Sequence, residues 1–150
     1  MGWRMEHMAV ATLSLRVPKV IGKQRPKFGK GRAYTPKQTE QMEARIADAF
    51  KSRYGDKFAS FTGPLRVCVF ATRELAASNP KYWAGMNDLK RPDLDNVAKL
   101  VLDALNGVAY ADDAQVFALE CVKQPRATHG TGSWLRIEVH YYDERYDNRR

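Results

Sequence analysis

The sequence predicts an α+β fold, a two-layer sandwich in which two helices cover one face of a mixed β-sheet. Four segments alternate apolar and polar residues, as half-buried strands do, and two longer segments repeat apolar residues at helical spacing. Their order is β-α-β-α-β-β, which favours one sheet with both helices on the same side. We expect the 150 residues to form one domain, with flexible ends at 1–8 and 143–150.

The first strand and the first helix follow directly from the pattern. Residues 9–17 alternate in polarity and predict a strand, whereas the residues before Met8 fit no element. The pair Thr35-Pro36 predicts a helix start, with Thr35 as the N-cap and Pro36 at the first helical position. Apolar residues on one face continue this helix to about residue 53, where Gly55 follows as a stop signal.

The middle of the chain predicts a strand, a connection and a helix. Residues 64–71 alternate and predict the second strand. Residues 74–90 are polar and aperiodic, which predicts a long flexible connection. Apolar residues at helical spacing then predict a helix over 94–106, and Gly107 stands where a C-terminal glycine cap belongs.

The last two strands are predicted over 114–122 and 133–142, joined as a hairpin through 126–132. Cys68 and Cys121 fall within predicted strands and are expected to be buried thiols. The sequence shows neither a signal peptide nor an apolar run long enough to span a membrane. We therefore expect a cytoplasmic protein without a membrane partner.

A basic segment follows the first strand. The formal net charge is +8, which favours a polyanionic partner. Eight basic residues and no acidic one lie between residues 16 and 37, interleaved with Phe28 and Tyr34, in a glycine-rich loop. Such a loop can contact phosphates and stack on unpaired bases, or it can simply be solvated. The residues predicted to bind DNA are Lys19, Lys23, Arg25, Lys27, Lys30 and Arg32.

An acidic motif opens the second helix. Asp93 and Asp95 stand two apart at the helix start, where Pro92 keeps the incoming chain extended. Lys99 follows Asp95 by one helical turn, and Asp103 continues the same stripe. The alternatives are ordinary, since aspartates often cap helices and a Lys99–Asp103 ion pair is a common surface feature.

A second acidic pair, Asp112 and Asp113, precedes a strand; alone, such a pair is often found in a turn. Carboxylates that converge need a cation, and oxygen ligands suit Mg²⁺, with Mn²⁺ as a substitute. The chemistry that fits is phosphodiester hydrolysis. We expect Asp93, Asp95 and Asp113 to bind metal, with Asp112 as a ligand or support, and Lys99 to stabilise the transition state.

Other chemistries find less support in the sequence. We expect that His7, His129 and His140 do not cluster, so we predict no zinc site. There is no recognisable Ser/His/Asp arrangement and no phosphate-binding glycine loop, and we expect no nucleotide cofactor.

The stretch Arg91–Val116 closely resembles the RusA family of Holliday-junction resolvases. The resemblance rests on D-L-D-N at 93–96, Lys99, D-A-L at 103–105 and D-D-A-Q at 112–115, together with the basic segment from Gly22. It implies a bacterial or phage-encoded endonuclease that acts on four-way DNA junctions at the nucleoid, as a homodimer with one Mg²⁺ site per subunit. The family's essential residues fall on Asp93, Asp95, Lys99 and Asp113. The 74–90 connection and the long basic loop depart from the best-known cellular member, which leaves strict junction specificity open.

Three alternatives stay open at this point. One is a branched-DNA-binding protein without catalysis, in which the acidic cluster is structural. Another is an endonuclease that prefers flaps or replication forks. A third is a sugar-nucleotide transferase with a D-x-D metal motif, although the chain is short for that class and a small substrate needs no basic loop.

Overall fold

The computed structural model describes residues 2–29, 31–34 and 36–147, and its order of elements matches the predicted fold class. Six strands, two α-helices and two short 3₁₀ helices lie in that part of the chain. The strands are β1 (Gly2–Val17), β2 (Lys27–Gly29), β3 (Arg32–Tyr34), β4 (Leu65–Thr72), β5 (Val116–Lys123) and β6 (Ser133–Asp147); the helices are α1 (Lys37–Tyr54) and α2 (Leu94–Leu105).

The main sheet has the order β1-β6-β4-β5 and is mixed, as predicted. β6 pairs antiparallel with both β1 and β4, whereas β4 and β5 are parallel neighbours joined through α2. The expected hairpin between the last two strands is therefore wrong. Alternating polarity predicts a strand, but it does not predict which other strand pairs with it. In the sheet, β4 lies between β5 and β6.

Both helices bury their apolar faces on one side of this sheet. Ile46 and Phe50 of α1 and Leu100 of α2 are at most 1% exposed and share one core cluster with the inward residues of the strands. Along β4, Val67 and Val69 belong to that cluster, so the alternate residues face the other side of the sheet. Within the described chain, no helix is long and apolar enough to cross a lipid bilayer.

The helix bounds agree with the sequence to within about one residue. α1 begins at Lys37, so Pro36 occupies the N-cap position rather than the first helical position; Thr35 lies outside the described residues. Gly55 ends α1 at a φ of 61°, and its N–H donates to the carbonyl oxygen of Lys51. α2 begins at Leu94 and ends at Leu105.

Two expectations about irregular segments are corrected. Residues 2–7 are not unstructured, because they extend β1 and pair with the end of β6 from Tyr142 to Asp147. The connection over 74–90 is not free either. It is held by backbone hydrogen bonds to the segment before β6, including those from the N–H groups of Leu75 and Gly85. Its Asp88 side chain is fully buried and accepts a hydrogen bond from Arg73.

Candidate active site

The first acidic pair lies where α2 begins. Asp93 is the N-cap residue with extended backbone, yet its side chain makes no capping hydrogen bond. Asp95 lies in the first turn, and both side chains are exposed. The carboxylate of Asp93 is therefore not committed to the helix, and both carboxylates lie at the helix N-terminus, where the backbone dipole favours negative charge.

Lys99 and Asp103 continue from Asp95 along the exposed face of α2, one and two turns further on. Lys99 is exposed. Asp103 is paired with Lys23, whose Nζ lies 3.1 Å from its Oδ2 and also contacts Glu43 of α1. Lys23 thus connects the basic segment to both helices.

The second acidic pair opens a short 3₁₀ turn, Asp113–Gln115, just before β5. Asp112 caps this turn, because its Oδ1 accepts a hydrogen bond from the N–H of Ala114 at 3.3 Å. Gln115 accepts a hydrogen bond from the N–H of Asp112 at 2.7 Å. The side-chain amide of Gln115 also donates to the carbonyl oxygens of Phe61 and Gly63. The turn is therefore fixed from both sides, and it presents Asp113 from a rigid frame.

The acidic residues near this turn influence one another. Burial, a hydrogen bond to Asp112, and the negative charges of Asp112 and Asp103 raise the pKa of Asp113. Tyr110 is fully buried beside them, and its hydroxyl donates to the carbonyl oxygen of Leu102 at 2.8 Å. A cation bound here would relieve the repulsion among these carboxylates.

The two acidic pairs lie at opposite ends of α2 within one subunit. The Sγ of Cys121 in β5 lies 3.7 Å from the carbonyl oxygen of Leu94, so the start of α2 faces the far end of β5. Asp113 precedes the near end of β5, and both α2 and this length of strand span roughly 15 Å. In the described part of the chain, the acidic pairs do not form a group of three ligands close enough to share one ion.

The expectation that the histidines do not cluster is wrong for two of them. The register of β1 and β6 brings His7 and His140 together, with ring nitrogens 3.3 Å apart. His140 also lies beside Cys68 and Glu138, and the ligand atoms of these three residues are within 4.8 Å of one another. Nothing in the sequence signals this contact, because it depends on strand pairing.

Two adjoining clefts run alongside the start of α2. One, of about 280 Å³, is lined by Lys19, Lys23, Arg91 and Asp93 among others. The other, of about 450 Å³, shares Lys19 and Arg91 with it and extends to residues that sequence reasoning did not single out. The basic residues among these additional lining residues of the second cleft are Arg73, Arg126 and His129.

The carboxylate of Glu74, which lines the second cleft, is used in hydrogen bonds within the protein. One oxygen of Glu74 accepts the N–H groups of Gly130 and Gly132 at 2.8 and 2.9 Å, and these hydrogen bonds lower its pKa. Arg126 is only 8% exposed and donates to the carbonyl oxygens of Arg73 and Glu74. Lys19 and Arg91 are the exposed cations of this cleft, so its free charge is positive, as a nucleic-acid backbone requires.

The predicted DNA-binding residues differ in their surroundings. Lys19 and Arg25 are exposed, whereas the Lys23 side chain is only 18% exposed and is held in its ion pairs. Lys27 and Arg32 lie in the β2–β3 hairpin, and Lys30 lies outside the described residues. The basic segment is therefore partly ordered, because it contains the β2–β3 hairpin and a lysine held in ion pairs. Phe28 in the hairpin is 84% exposed and available to stack on a base.

The comparisons with known proteins identify one family. Residues 18–140 match the family described as Endodeoxyribonuclease RusA. This range contains both acidic pairs, Lys99 and all six of the predicted DNA-binding residues. None of the curated proteins matches the chain.

Proposed function

The chain belongs to the RusA endodeoxyribonuclease family, and we propose that it is a metal-dependent endonuclease that resolves four-way DNA junctions by paired, symmetric nicks. The family implies Holliday-junction resolvase activity on branched DNA in recombination. The observation that carries the proposal is the match over residues 18–140, which includes every residue that we expect to act in catalysis. Metal dependence, the roles of individual residues and the dimer are the parts that we propose.

The donor set of the acidic residues fits Mg²⁺, with Mn²⁺ as a substitute. Asp93, Asp95, Asp112 and Asp113 offer only hard oxygen atoms, and the carboxylate of Asp93 is not used in capping. Mg²⁺ usually keeps several waters and takes one or two carboxylates plus substrate phosphate, so the few carboxylates of a site that combines the two pairs are enough protein ligands. When bound, the ion supplies a water of lowered pKa and stabilises charge on the leaving oxygen.

The side chains around these carboxylates have separate tasks. The ammonium of Lys99 lies one turn beyond Asp95 on the exposed face of α2, where it stabilises the extra negative charge of the phosphate in the transition state. Lys19 and Arg91 line both clefts beside Asp93 and bind the phosphates that flank the cut. Phe28 stacks on a base that the junction leaves unpaired.

A homodimer offers a way to unite the acidic pairs. Within one subunit, the two acidic pairs lie at opposite ends of α2 and do not form a shared group of metal ligands in the described part of the chain. A two-fold dimer can place the first pair of one subunit against the second pair of its partner. It also provides two equivalent sites, which two symmetric nicks require.

The first experiment uses an end-labelled four-way junction with wild-type protein, with and without Mg²⁺. Asp95→Asn should abolish cutting and keep junction binding, because the change removes a ligand charge that also repels phosphate. Asp48→Asn, an exposed aspartate on α1, is the matched control and should cut normally. Junction binding without cutting in either Mg²⁺ or Mn²⁺ would favour a non-catalytic DNA-binding protein. Faster cutting of a flap or fork would favour that substrate class.

A mixing experiment tests the shared site. Asp95→Asn and Asp113→Asn proteins are inactive alone but, combined, form heterodimers with one intact composite site. We expect single nicks to reappear in the mixture. If both sites lie within single subunits, each heterodimer has two damaged sites and the mixture stays inactive.

A further inference from the structure

A second cluster of metal-ligating side chains lies on the face of the sheet opposite the helices. Cys68 is on β4, and Glu138 and His140 are on β6. Cys68 and Glu138 are direct partners in the β4–β6 register, and His140 is two residues further along the same face. Their neighbours Val67 and Val139 belong to the core under the helices, so the cluster faces away from the acidic pairs.

The donor atoms are already assembled. The Sγ of Cys68, a carboxylate oxygen of Glu138 and a ring nitrogen of His140 lie within 4.8 Å of one another. In a tetrahedral zinc site, ligand bonds of about 2.0–2.3 Å place the donor atoms roughly 3.3–3.8 Å apart, so the three side chains would draw together slightly around an ion. The site is also sheltered, since Cys68 is 3% exposed and the side chains of His140 and Glu138 are 17% and 22% exposed.

The hydrogen bonds around His140 suit a metal ligand. Its Nε2 lies 3.0 Å from Oε1 of Glu138, and its Nδ1 lies 3.3 Å from Nε2 of His7 on β1. If Nε2 binds a metal, Nδ1 carries the proton and donates it to His7, which orients the ring as a supporting residue does in zinc sites. Oε2 of Glu138 stays with Arg136, so Oε1 is the oxygen available to the ion.

We propose that Cys68, Glu138 and His140 form a Zn²⁺ site, with His7 as the positioning residue for His140. A thiolate, an imidazole and one carboxylate form a borderline-soft donor set that suits Zn²⁺ and not Mg²⁺. On binding, the ion takes the place of the hydrogen bond between His140 and Glu138, and the thiol proton of Cys68 passes to solvent. Three protein ligands leave one position for water, and the ion ties β4 to β6.

Co²⁺ is the probe, added to the reduced, metal-free 150-residue chain. Excess Mg²⁺ is present throughout, so that sites with only oxygen ligands are already filled. We expect one equivalent of Co²⁺ to give a sulfur-to-cobalt charge-transfer band in the near ultraviolet and visible bands of tetrahedral cobalt. One equivalent of Zn²⁺ should remove both. Absence of the charge-transfer band at equimolar Co²⁺ would overturn the proposal.

Matched variants locate the signal. Cys68→Ser should lose the charge-transfer band, whereas Cys121→Ser, which changes the thiol on the helix side of the sheet, should keep it. His7→Ala should weaken Zn²⁺ binding by roughly 10-fold or more, because His140 loses the partner that orients its ring. The control variant His129→Ala should bind Zn²⁺ as the wild type does. A band that persists in Cys68→Ser overturns the site. If Cys68→Ser does not fold by circular dichroism, unchanged cobalt spectra in His140→Ala overturn it instead.

Discussion

Removing the Lys23 ammonium should destabilise the fold by about 2 kcal/mol. Lys23 contacts Glu43 and Asp103, and the three side chains are 18%, 23% and 30% exposed. Exposed ion pairs contribute about 0–1 kcal/mol, and breaking a buried pair costs about 3–5 kcal/mol. Lys23→Met lies between these limits because it leaves two half-buried carboxylates on adjoining helices without their cation. The melting temperature should fall by about 4–8 °C.

The measurement is urea unfolding followed by circular dichroism, with Lys19→Met as the matched control. Lys19 is exposed in the cleft, so its loss should change stability by no more than about 0.5 kcal/mol. Adding Glu43→Gln and Asp103→Asn to Lys23→Met should restore part of the lost stability, because no unpaired charge then remains. Equal stabilities of the two single lysine variants would refute the reasoning.

The pH dependence gives a second test of the same ion pairs. Burial lowers the pKa of Lys23, but its hydrogen bonds and the charges of Glu43 and Asp103 outweigh burial and raise it above its ordinary value. A raised folded pKa contributes stability that is complete below the unfolded pKa of about 10.4 and lost as the pH rises through the folded value. The difference between wild type and Lys23→Met should therefore be constant at neutral pH and shrink only above about pH 10.

Four further predictions concern single residues. Lys19→Ala should reduce the slope of log binding constant against log salt concentration by about 1 in junction-binding titrations; an unchanged slope would remove Lys19 from the phosphate contacts. Gly22→Ala should destabilise by about 1–3 kcal/mol in thermal melts and slow cutting, because the new Cβ would lie 2.7 Å from Cβ of Asn96 in α2. Asp113→Asn should raise stability at pH 7 and leave it unchanged near pH 3, since burial and neighbouring carboxylates raise the pKa of this carboxyl in the folded state; equal melting shifts at both pH values would contradict this. Arg126→Met should cost about 1–3 kcal/mol and make the 74–90 connection sensitive to trypsin, because the carbonyl oxygen of Glu74 loses a donor and that of Arg73 keeps only the N–H of Ala127.

The sequence predicts the elements of this fold better than their partners. The bounds of α2 are predictable to within one residue, because apolar spacing and the stop at Gly107 are local signals. The order of strands was not predictable, since alternation in β5 is the same whether it pairs with β4 or β6. The ordering of the 74–90 connection depends on Arg126, which follows it by a whole helix and strand.

In the candidate site, too, the sequence predicts local features and does not predict contacts between distant segments. Asp93, Asp95, Lys99 and Asp113 stand out in the sequence because their types and spacing resemble a family motif. The two acidic pairs lie at opposite ends of α2 because of the path that the chain takes from α2 into β5. Residue spacing in the sequence does not predict that path. The contact of His7 with His140 likewise depends on the register of two strands that are distant in sequence.

The central position of β6 has a consequence for how the protein folds during synthesis. β6 follows every other strand along the chain, yet β1 and β4 both pair with it and not with each other. When synthesis has reached the end of β5, the helices and the parallel β4–β5 pair can form, but β1 still has no partner strand in the sheet. Its backbone hydrogen-bonding groups are then unpaired. Closure of the sheet must therefore wait for the last strand, and such contacts between distant segments form slowly. During that interval β1, sixteen residues long, is the segment most exposed to pairing with another nascent chain.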